Sequence, residues 1–143
     1  RPGGQPLTYM LVSERRAKEP VTVRMPADAY GALKRYHPKR KEHFLVLTLD
    51  GAHVIHAIRI VSIGIVNRSL VHPREVFIEA IKDNAAAVVV AHNHPSGAFD
   101  PSVEDREVKR RLRDAGEILG IPVLDHLVFS WKGFYSFLEH NEI

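Results

Sequence analysis

Short apolar runs separated by turn residues predict most of the strands in this chain. Runs of strand-like length lie at residues 7–12, 21–25, 44–49, 54–61, 85–91, 123–130 and 134–138, with a less clear strand at 64–71. The run at 85–91 (AAAVVVA) is unbroken, which is typical of a strand buried on both faces. Asp50-Gly51 is a strong tight-turn signal, so the strands on either side of it are expected to form a hairpin.

Helical patterns between these strands predict three helices. The first begins at Pro26, whose missing N–H is tolerated in a first turn, and runs to about residue 36, before Pro38. The others cover residues 74–84 and 103–119, and Gly120 and Pro122 end the last one. This mixture predicts an α/β or α+β domain in which helices cover one sheet. We assign residues 1–25 to a lead-in with short strands and residues 26–143 to the domain itself.

Composition limits the chemistry that the domain can carry. The chain has 143 residues, of which 45% are hydrophobic and none is cysteine. That is a single-domain length with enough apolar residues for a core. Without cysteine there are no disulfides, thiolate zinc sites or cysteine nucleophiles, so any transition metal must be held by histidine and carboxylate. No apolar run approaches the roughly 20 residues of a membrane span. We therefore expect no membrane partner, and a cytoplasmic location fits.

Charge is nearly balanced along the chain but is unevenly distributed. Lysine and arginine number 20 against 17 aspartates and glutamates, a formal net charge of +3. Basic residues are concentrated at 34–41 (KRYHPKRK) and 106–113 (REVKRRLR). Such runs are typical of solvated helix faces, although they also allow weak contact with the phosphates of a nucleic acid.

Residues 91–105 (AHNHPSGAFDPSVED) carry the most informative pattern. His92 and His94 lie two residues apart at the end of a predicted strand, so their side chains point to the same side. The helix that follows has an apolar stripe at Val108, Leu112, Ala115 and Leu119, and Asp105 lies on nearly the same face, seven residues before Leu112. A buried carboxylate is costly unless it is paired or binds a metal.

Two neutral histidines and one carboxylate form the ligand set of a catalytic zinc, which keeps a fourth position for water. Each residue also has an ordinary explanation. Ser102 followed by Asp105 resembles a helix capping box, and the two histidines could be turn residues. Capping by Ser102 and ligation by Asp105 are compatible with each other.

The spacing of these residues matches a known motif. His92-Asn93-His94-Pro95, continued through Pro101 to Ser102 and Asp105, reproduces His-x-His-x7-Ser-x2-Asp, and in this the chain resembles the JAMM (MPN+) metalloproteases. HNHPSG, with LDH at 124–126, is similar to the bacterial RadC branch of that superfamily, whose name is associated with DNA repair. The resemblance covers about residues 41–138 and includes KEHFLVLTLD and VHPREVFIEAI. We expect no room for the full amino-terminal helix-hairpin-helix segment of many RadC-like proteins.

The resemblance implies a cytidine-deaminase-like JAB/MPN fold, a mixed sheet flanked by helices. It implies one Zn²⁺ ion held by His92, His94 and Asp105. It also implies a glutamate from an early strand as general base, and the order of the motif places that role on Glu42. Ser102 would stabilise the oxyanion or support the site by capping the helix. The expected activity is zinc-dependent hydrolysis of a peptide or isopeptide bond in a peptide or protein substrate.

The residues themselves leave several alternatives open. Glu75, in the first turn of a predicted helix, is the main rival to Glu42, because geometry must decide which carboxylate reaches the metal-activated water. His126 fits a structural histidine better than a fourth ligand, although it could line the cleft, and His72 fits a turn residue. Two other functions stay open: a DNA-associated RadC-type protein, and a non-catalytic interaction module that a metal stabilises.

Overall fold

The computed structural model of the chain describes residues 20–66 and 71–143. In those ranges the helices are α1 (Pro26–Ala32), α2 (Pro73–Lys82) and α3 (Val103–Leu119), and a 3₁₀ turn (Lys34–Tyr36) follows α1. The strands are β1 (His43–Leu49), β2 (Ile55–Ile63), β3 (Ala87–Asn93), β4 (Val123–Ser130) and β5 (Gly133–Ser136). Within the described ranges, no helix is both long and apolar enough to span a bilayer.

The five strands form one mixed sheet in the order β2-β1-β3-β4-β5. β1 pairs antiparallel with β2 and with β3, and β4 pairs antiparallel with β5. β3 and β4 run parallel and are joined by α3, which supplies the crossover connection that a parallel pair requires. The predicted class, a mixed sheet flanked by helices, is confirmed.

Helices cover both faces of the sheet, because alternate side chains of each strand point to opposite sides. The layer shared with α2 and α3 is formed by Phe44, Val46, Val76, Phe77, Val88, Val90, Val108 and Leu112. The opposite layer is formed by Ala29, Leu33, Tyr36, Leu45, Leu47, Val89, Leu127 and Phe129. β3 is buried along its whole length, as its unbroken apolar run predicted.

The buried stripe of α3 fixes how this helix meets β3. It consists of Asp105, Val108, Leu112 and Gly116, so the buried positions predicted at Asp105, Val108 and Leu112 are confirmed. Ala115, which was also predicted in the stripe, is only partly buried, although it packs against the same core. The predicted last position is wrong, because Leu119 is 48% exposed. Gly120, at φ 72°, turns the chain, and the carbonyl of Ile121 then approaches Gly116 so closely that a Cβ there would lie 2.5 Å from it.

Several predicted boundaries also differ from the structure. β3 begins at Ala87 and continues through Asn93, because its parallel pairing with β4 extends to that residue. His92 and Asn93 are therefore strand residues, although the predicted strand ended at residue 91. The helix from Pro26 ends at Ala32, and the 3₁₀ turn replaces its predicted last turn.

Two of the predicted strands are largely missing from the described part of the chain. The strand at 21–25 is reduced to one bridge between Thr22 and Val54. Gly64, Ile65, Val66 and Val71 are not in a strand, and residues 67–70, the rest of the strand predicted at 64–71, lie outside the described residues. The strand predicted at 7–12 also lies outside them.

Candidate metal centre

The end of β3 holds two histidines side by side. His92 is fully buried on the face that meets α3. The backbone N–H of His94 donates to the carbonyl of Phe129 at 2.7 Å, which continues the pairing with β4 for one residue beyond the strand. His94 therefore stays on the same side as His92, as the spacing predicted, and the two Nε2 atoms lie 3.1 Å apart.

Asp105 lies opposite these two rings, at the start of α3. Its backbone N–H donates to Ser102 Oγ at 3.0 Å, and its Oδ2 accepts from the backbone N–H of Ser102 at 2.7 Å, so the predicted capping box is present. The same carboxylate places Oδ1 3.1 Å from His92 Nε2 and Oδ2 3.6 Å from His94 Nε2. The cap thus orients Asp105, so that capping and facing the histidines occur together.

The spacing of these donor atoms fits a small divalent cation. Ligand atoms about 2.0–2.1 Å from a tetrahedral zinc lie about 3.3 Å from one another. His92 Nε2 lies 3.1 Å from His94 Nε2 and 3.1 Å from Asp105 Oδ1, and His94 Nε2 lies 3.6 Å from Oδ2, the other oxygen of that carboxylate. Two imidazole nitrogens and a carboxylate oxygen are also ligand types that Zn²⁺ accepts. The residues present therefore fit the metal that the motif implies.

The charges at this site favour cation binding as well. Burial on its own would raise the pKa of Asp105, but the close approach of the His92 and His94 ring nitrogens outweighs burial and holds that pKa well below its usual range. The nearby Asp105 carboxylate in turn raises the pKa of His94, against partial desolvation. A buried, ionised carboxylate therefore faces two ring nitrogens, which is the protonation state that a carboxylate ligand needs.

Glu42 approaches the two histidines from the segment just before β1. One carboxylate oxygen of Glu42 and one ring nitrogen from each of His92 and His94 lie within 4.8 Å of one another. Glu42 Oε1 also accepts from the backbone N–H of Val66 at 3.4 Å. Both Asp105 and Glu42 could complete a ligand set with the two histidines. Asp105 Oδ1 lies 3.1 Å from His92 Nε2, which suits a ligand, and Glu42 is close enough to the same two rings to contact a molecule bound there.

Asn93, which the motif treats as a free position, holds the segment that carries Glu42. Its side chain is fully buried on the face of β3 opposite to His92. Asn93 Oδ1 accepts from the backbone N–H of His43 at 2.6 Å, and its Nδ2 donates to the carbonyl of Lys41 at 3.1 Å. Both neighbours of Glu42 are therefore fixed by one amide. The two-residue period of a strand predicts that Asn93 faces away from His92 and His94, but it does not reveal the contacts with residues 41 and 43.

The other candidates from the sequence are placed as follows. Glu75 is exposed in the first turn of α2 and does not belong to the group formed by Glu42, His92 and His94. Ser102 is the N-cap of α3. His72 is the N-cap of α2, where its Nδ1 accepts from the backbone N–H of Arg74 at 3.2 Å. The sequence predicted His72 to be a turn residue, and the structure shows that it caps this helix.

His126 lies directly behind His92. Its Nε2 is 3.3 Å from His92 Nδ1, the ring nitrogen that points away from Asp105. It contacts a ligand candidate from the rear rather than facing the same point, so it is not a fourth ligand of this group. Complete burial lowers the pKa of His126 to about 3 and keeps the ring neutral.

Comparisons with known proteins add a family context to this geometry. The family model of the RadC-like JAB domain matches residues 23–142. A UPF0758 protein of Methanospirillum hungatei JF-1 is 55% identical over 92 residues, which are 64% of this chain and 41% of that protein. A UPF0758 protein of Rubrobacter xylanophilus is 46% identical over 136 residues, which are 94% of this chain and 59% of that protein. The chain thus spans about half the length of these curated relatives.

Proposed function

The chain belongs to the RadC-like JAB domain family of the JAMM superfamily, and from this premise we propose that it is a zinc-dependent hydrolase of peptide or isopeptide bonds. The observation that carries the proposal is the convergence of His92, His94 and Asp105, with donor atoms 3.1 to 3.6 Å apart. No thiolate is available, so this is the ligand set of a catalytic rather than a structural zinc.

In this proposal His92, His94 and Asp105 hold the metal. Glu42 transfers the proton, and Ser102 stabilises the developing negative charge. A divalent cation bound by them supplies Lewis acidity, which polarises a carbonyl and lowers the pKa of water. Glu42 takes a proton from the attacking water as the new C–O bond forms. It then gives that proton to the amine as the C–N bond breaks, so the proton count balances.

Ser102 has two roles that do not compete. Its Oγ accepts from the backbone N–H of Asp105, and this uses the hydroxyl only as an acceptor. The hydroxyl hydrogen can therefore donate to the carbonyl oxygen on which negative charge develops. The amino-terminal end of α3, where Ser102 lies, also carries the partial positive charge of the helix dipole, which favours an anionic oxygen.

The direct test combines zinc content with hydrolysis of a fluorogenic peptide library. Glu42→Gln should retain zinc and lose about 100- to 10,000-fold in hydrolysis, the usual contribution of a general base. Glu75→Gln is the matched control, since it removes the same charge from an exposed position in α2. We expect it to keep both properties. Full hydrolysis by Glu42→Gln would remove Glu42 from the mechanism.

The same measurements separate a hydrolase from a non-catalytic module. A protein that binds zinc, unfolds when the metal is chelated and hydrolyses no peptide would be a metal-stabilised interaction domain. A protein that binds no zinc in the presence of a slight excess of the metal would contradict the proposal itself.

A DNA-associated role is the second candidate, and the basic face of α3 is the observation that favours it. Arg106, Lys109, Arg110 and Arg113 follow a helical spacing along one side of the helix. The pKa of Lys109 is lowered by desolvation and then by the charge of Arg113. Ion pairs weaken the case, because Arg106 pairs with Glu142 at 3.1 Å and Arg113 with Asp114 at 3.2 Å.

Binding of duplex DNA at several salt concentrations tests this second candidate. Phosphate contacts through this face predict an affinity that falls steeply with salt and falls further in Lys109→Ala/Arg110→Ala. No detectable binding at low salt would reject it.

A further inference from the structure

We propose that His126 is a positioning residue that fixes the tautomer of His92: His126 Nε2 accepts from His92 Nδ1–H and so reserves the lone pair of His92 Nε2 for the cation. The proposal rests on the metal-binding role of His92 in the proposed function. It adds a residue that lies outside the His-x-His-x7-Ser-x2-Asp spacing.

The two ring nitrogens of His92 have different partners, and this is the first observation behind the proposal. His92 Nε2 faces His94 Nε2 and Asp105 Oδ1, both at 3.1 Å, and its Nδ1 faces His126 Nε2 at 3.3 Å. A neutral imidazole carries a proton on one nitrogen and a lone pair on the other. If the proton is on Nδ1, the lone pair points at the cation site.

His126 is held in a fixed orientation for this contact. Its ring stacks on Phe137 with centroids 5.0 Å apart and meets the edge of Phe44 at 5.7 Å. Its backbone carbonyl accepts from the N–H of Phe137, and its backbone N–H donates to Asp125 Oδ1 at 2.7 Å. Ring and backbone are therefore both constrained, so the Nε2 position does not depend on a mobile side chain.

The other nitrogen of His126 shows that the residue is poorly suited to a purely structural role. His126 Nδ1 is fully buried and has no hydrogen-bond partner among the described residues. A buried polar atom without a partner opposes folding, and an apolar residue there would avoid that penalty. In the tautomer that accepts from His92, this unpartnered nitrogen carries the proton. A histidine at this place is understandable if its Nε2 is needed as an acceptor.

The general chemistry of metal sites supports the same assignment. Histidine ligands usually donate their second N–H to an acceptor, which fixes the ring and its tautomer. That acceptor is commonly a carboxylate, a backbone carbonyl or water. Here it is a neutral imidazole nitrogen, which orients His92 without adding negative charge beside the cation.

The test uses the full chain loaded with zinc and labelled with ¹⁵N at histidine. Long-range ¹H–¹⁵N correlation spectra should show His92 with a protonated Nδ1 and a metal-shifted Nε2. A protonated Nε2 on His92, or a metal-bound Nδ1, would overturn the proposal. This readout does not depend on hydrolysis.

Two variants give a second readout, the zinc Kd measured by competition with a chelator. His126→Phe removes the acceptor and should weaken zinc binding about 10- to 100-fold, the usual effect of losing such a partner. His126→Gln keeps an acceptor oxygen and should retain most of the affinity. Equal affinity in wild type and a folded His126→Phe variant would overturn the proposal. If His126→Phe does not fold, the spectrum of the wild-type protein still decides.

Failure of this inference is distinguishable from failure of the proposed function. A zinc-bound protein with the expected His92 tautomer and no hydrolysis would contradict the hydrolase and leave the role of His126 intact. Normal hydrolysis with His92 in the other tautomer would do the reverse. A wild-type chain that does not bind zinc would overturn both.

Discussion

Two buried carboxylates in this domain show how partners, rather than burial, decide what an aspartate does. Asp105 at the start of α3 is 2% exposed, and Asp125 in β4 is 3% exposed. Asp105 faces the rings of His92 and His94. Asp125 instead accepts from the backbone N–H groups of His126 and Leu138 and from the hydroxyl of Ser136.

The pKa values of the two groups move in opposite directions for this reason. Desolvation opposes ionisation of both, but the close approach of the His92 and His94 ring nitrogens reverses its effect at Asp105 and leaves the pKa low. At Asp125 desolvation is only partly offset by its three neutral donors, so the pKa stays raised. Asp105 thus stays ionised beside two ring nitrogens, whereas Asp125 is a structural acceptor that ties β4 to Ser136 at the end of β5 and to Leu138 beyond it.

Asp105→Asn tests the comparison most strongly. The amide oxygen can still accept from the backbone N–H of Ser102, so the cap is preserved, but the charge that faces the histidines is lost. We expect zinc affinity to fall at least 100-fold, about 2.7 kcal/mol, since losing even an indirect support of a metal site costs up to that much. Competition with a chelator measures it.

Asp125→Asn is the matched control for this loss. It makes the same chemical change at a carboxylate of equal burial, and we expect zinc affinity to stay within a few-fold of wild type. Retained affinity in Asp105→Asn, or an equal loss in both variants, would break the distinction between the two carboxylates.

Asp125→Ala should have the next largest effect, and it should be on folding. Removing the carboxylate leaves the donors of His126, Ser136 and Leu138 without their acceptor in a buried site. We expect the free energy of unfolding to fall by about 2 kcal/mol, since unsatisfied buried donors are costly. Urea denaturation of the metal-free protein measures this. A variant as stable as wild type would show that Asp125 is not the structural partner we describe.

The surroundings of Asp105 could be predicted from the sequence, but those of Asp125 could not. Helix periodicity placed Asp105 on the buried face of α3, and the two-residue spacing placed His92 and His94 on one side of a strand. Both expectations are confirmed by the geometry. Both depend only on the 3.6-residue repeat of a helix and the two-residue repeat of a strand, which can be read from neighbouring residues in the sequence.

The contacts that the sequence analysis did not predict join segments that are far apart in the chain. Asn93 reaches Lys41 and His43, about fifty positions away, and His126 reaches His92 across a parallel strand pair. The periodicity of a single helix or strand does not reveal such contacts. The exposed Leu119 was mispredicted for a related reason, because a backbone approach to Gly116 ends the buried stripe before that residue.

Ser102→Ala should have a smaller effect and sharpens the description of Asp105. The substitution removes the oxygen that accepts from the backbone N–H of Asp105, while the reciprocal bond from Ser102 N–H to Asp105 Oδ2 remains. We expect a loss of about 1 kcal/mol in unfolding free energy, the usual value of an N-cap. Zinc affinity should change only slightly.

Ser102→Thr provides the control, because its hydroxyl can cap the helix in the same way and should restore most of the stability. Thermal unfolding of the metal-free proteins compares the three. Loss of zinc binding in Ser102→Ala without loss of stability would mean that Ser102 acts on the metal site by a route other than the cap.

The smallest expected effect is a difference in pH dependence between wild type and Asp125→Asn. The raised pKa of Asp125 means that the folded state binds a proton more tightly than the unfolded state. The contribution of Asp125 to stability is therefore fully present below the ordinary carboxyl pKa and is lost as pH rises through the folded value. Asparagine has no such proton. The stability of wild type minus that of Asp125→Asn should thus decline across this acidic window and level off above it. Asp83 provides a control of opposite sign, because its hydrogen bond with Arg59 lowers its pKa. The stability of wild type minus that of Asp83→Asn should therefore rise with pH. Urea unfolding at a series of pH values measures both differences, and a difference for Asp125→Asn that rises with pH would show that its partners overcome desolvation just as those of Asp105 do.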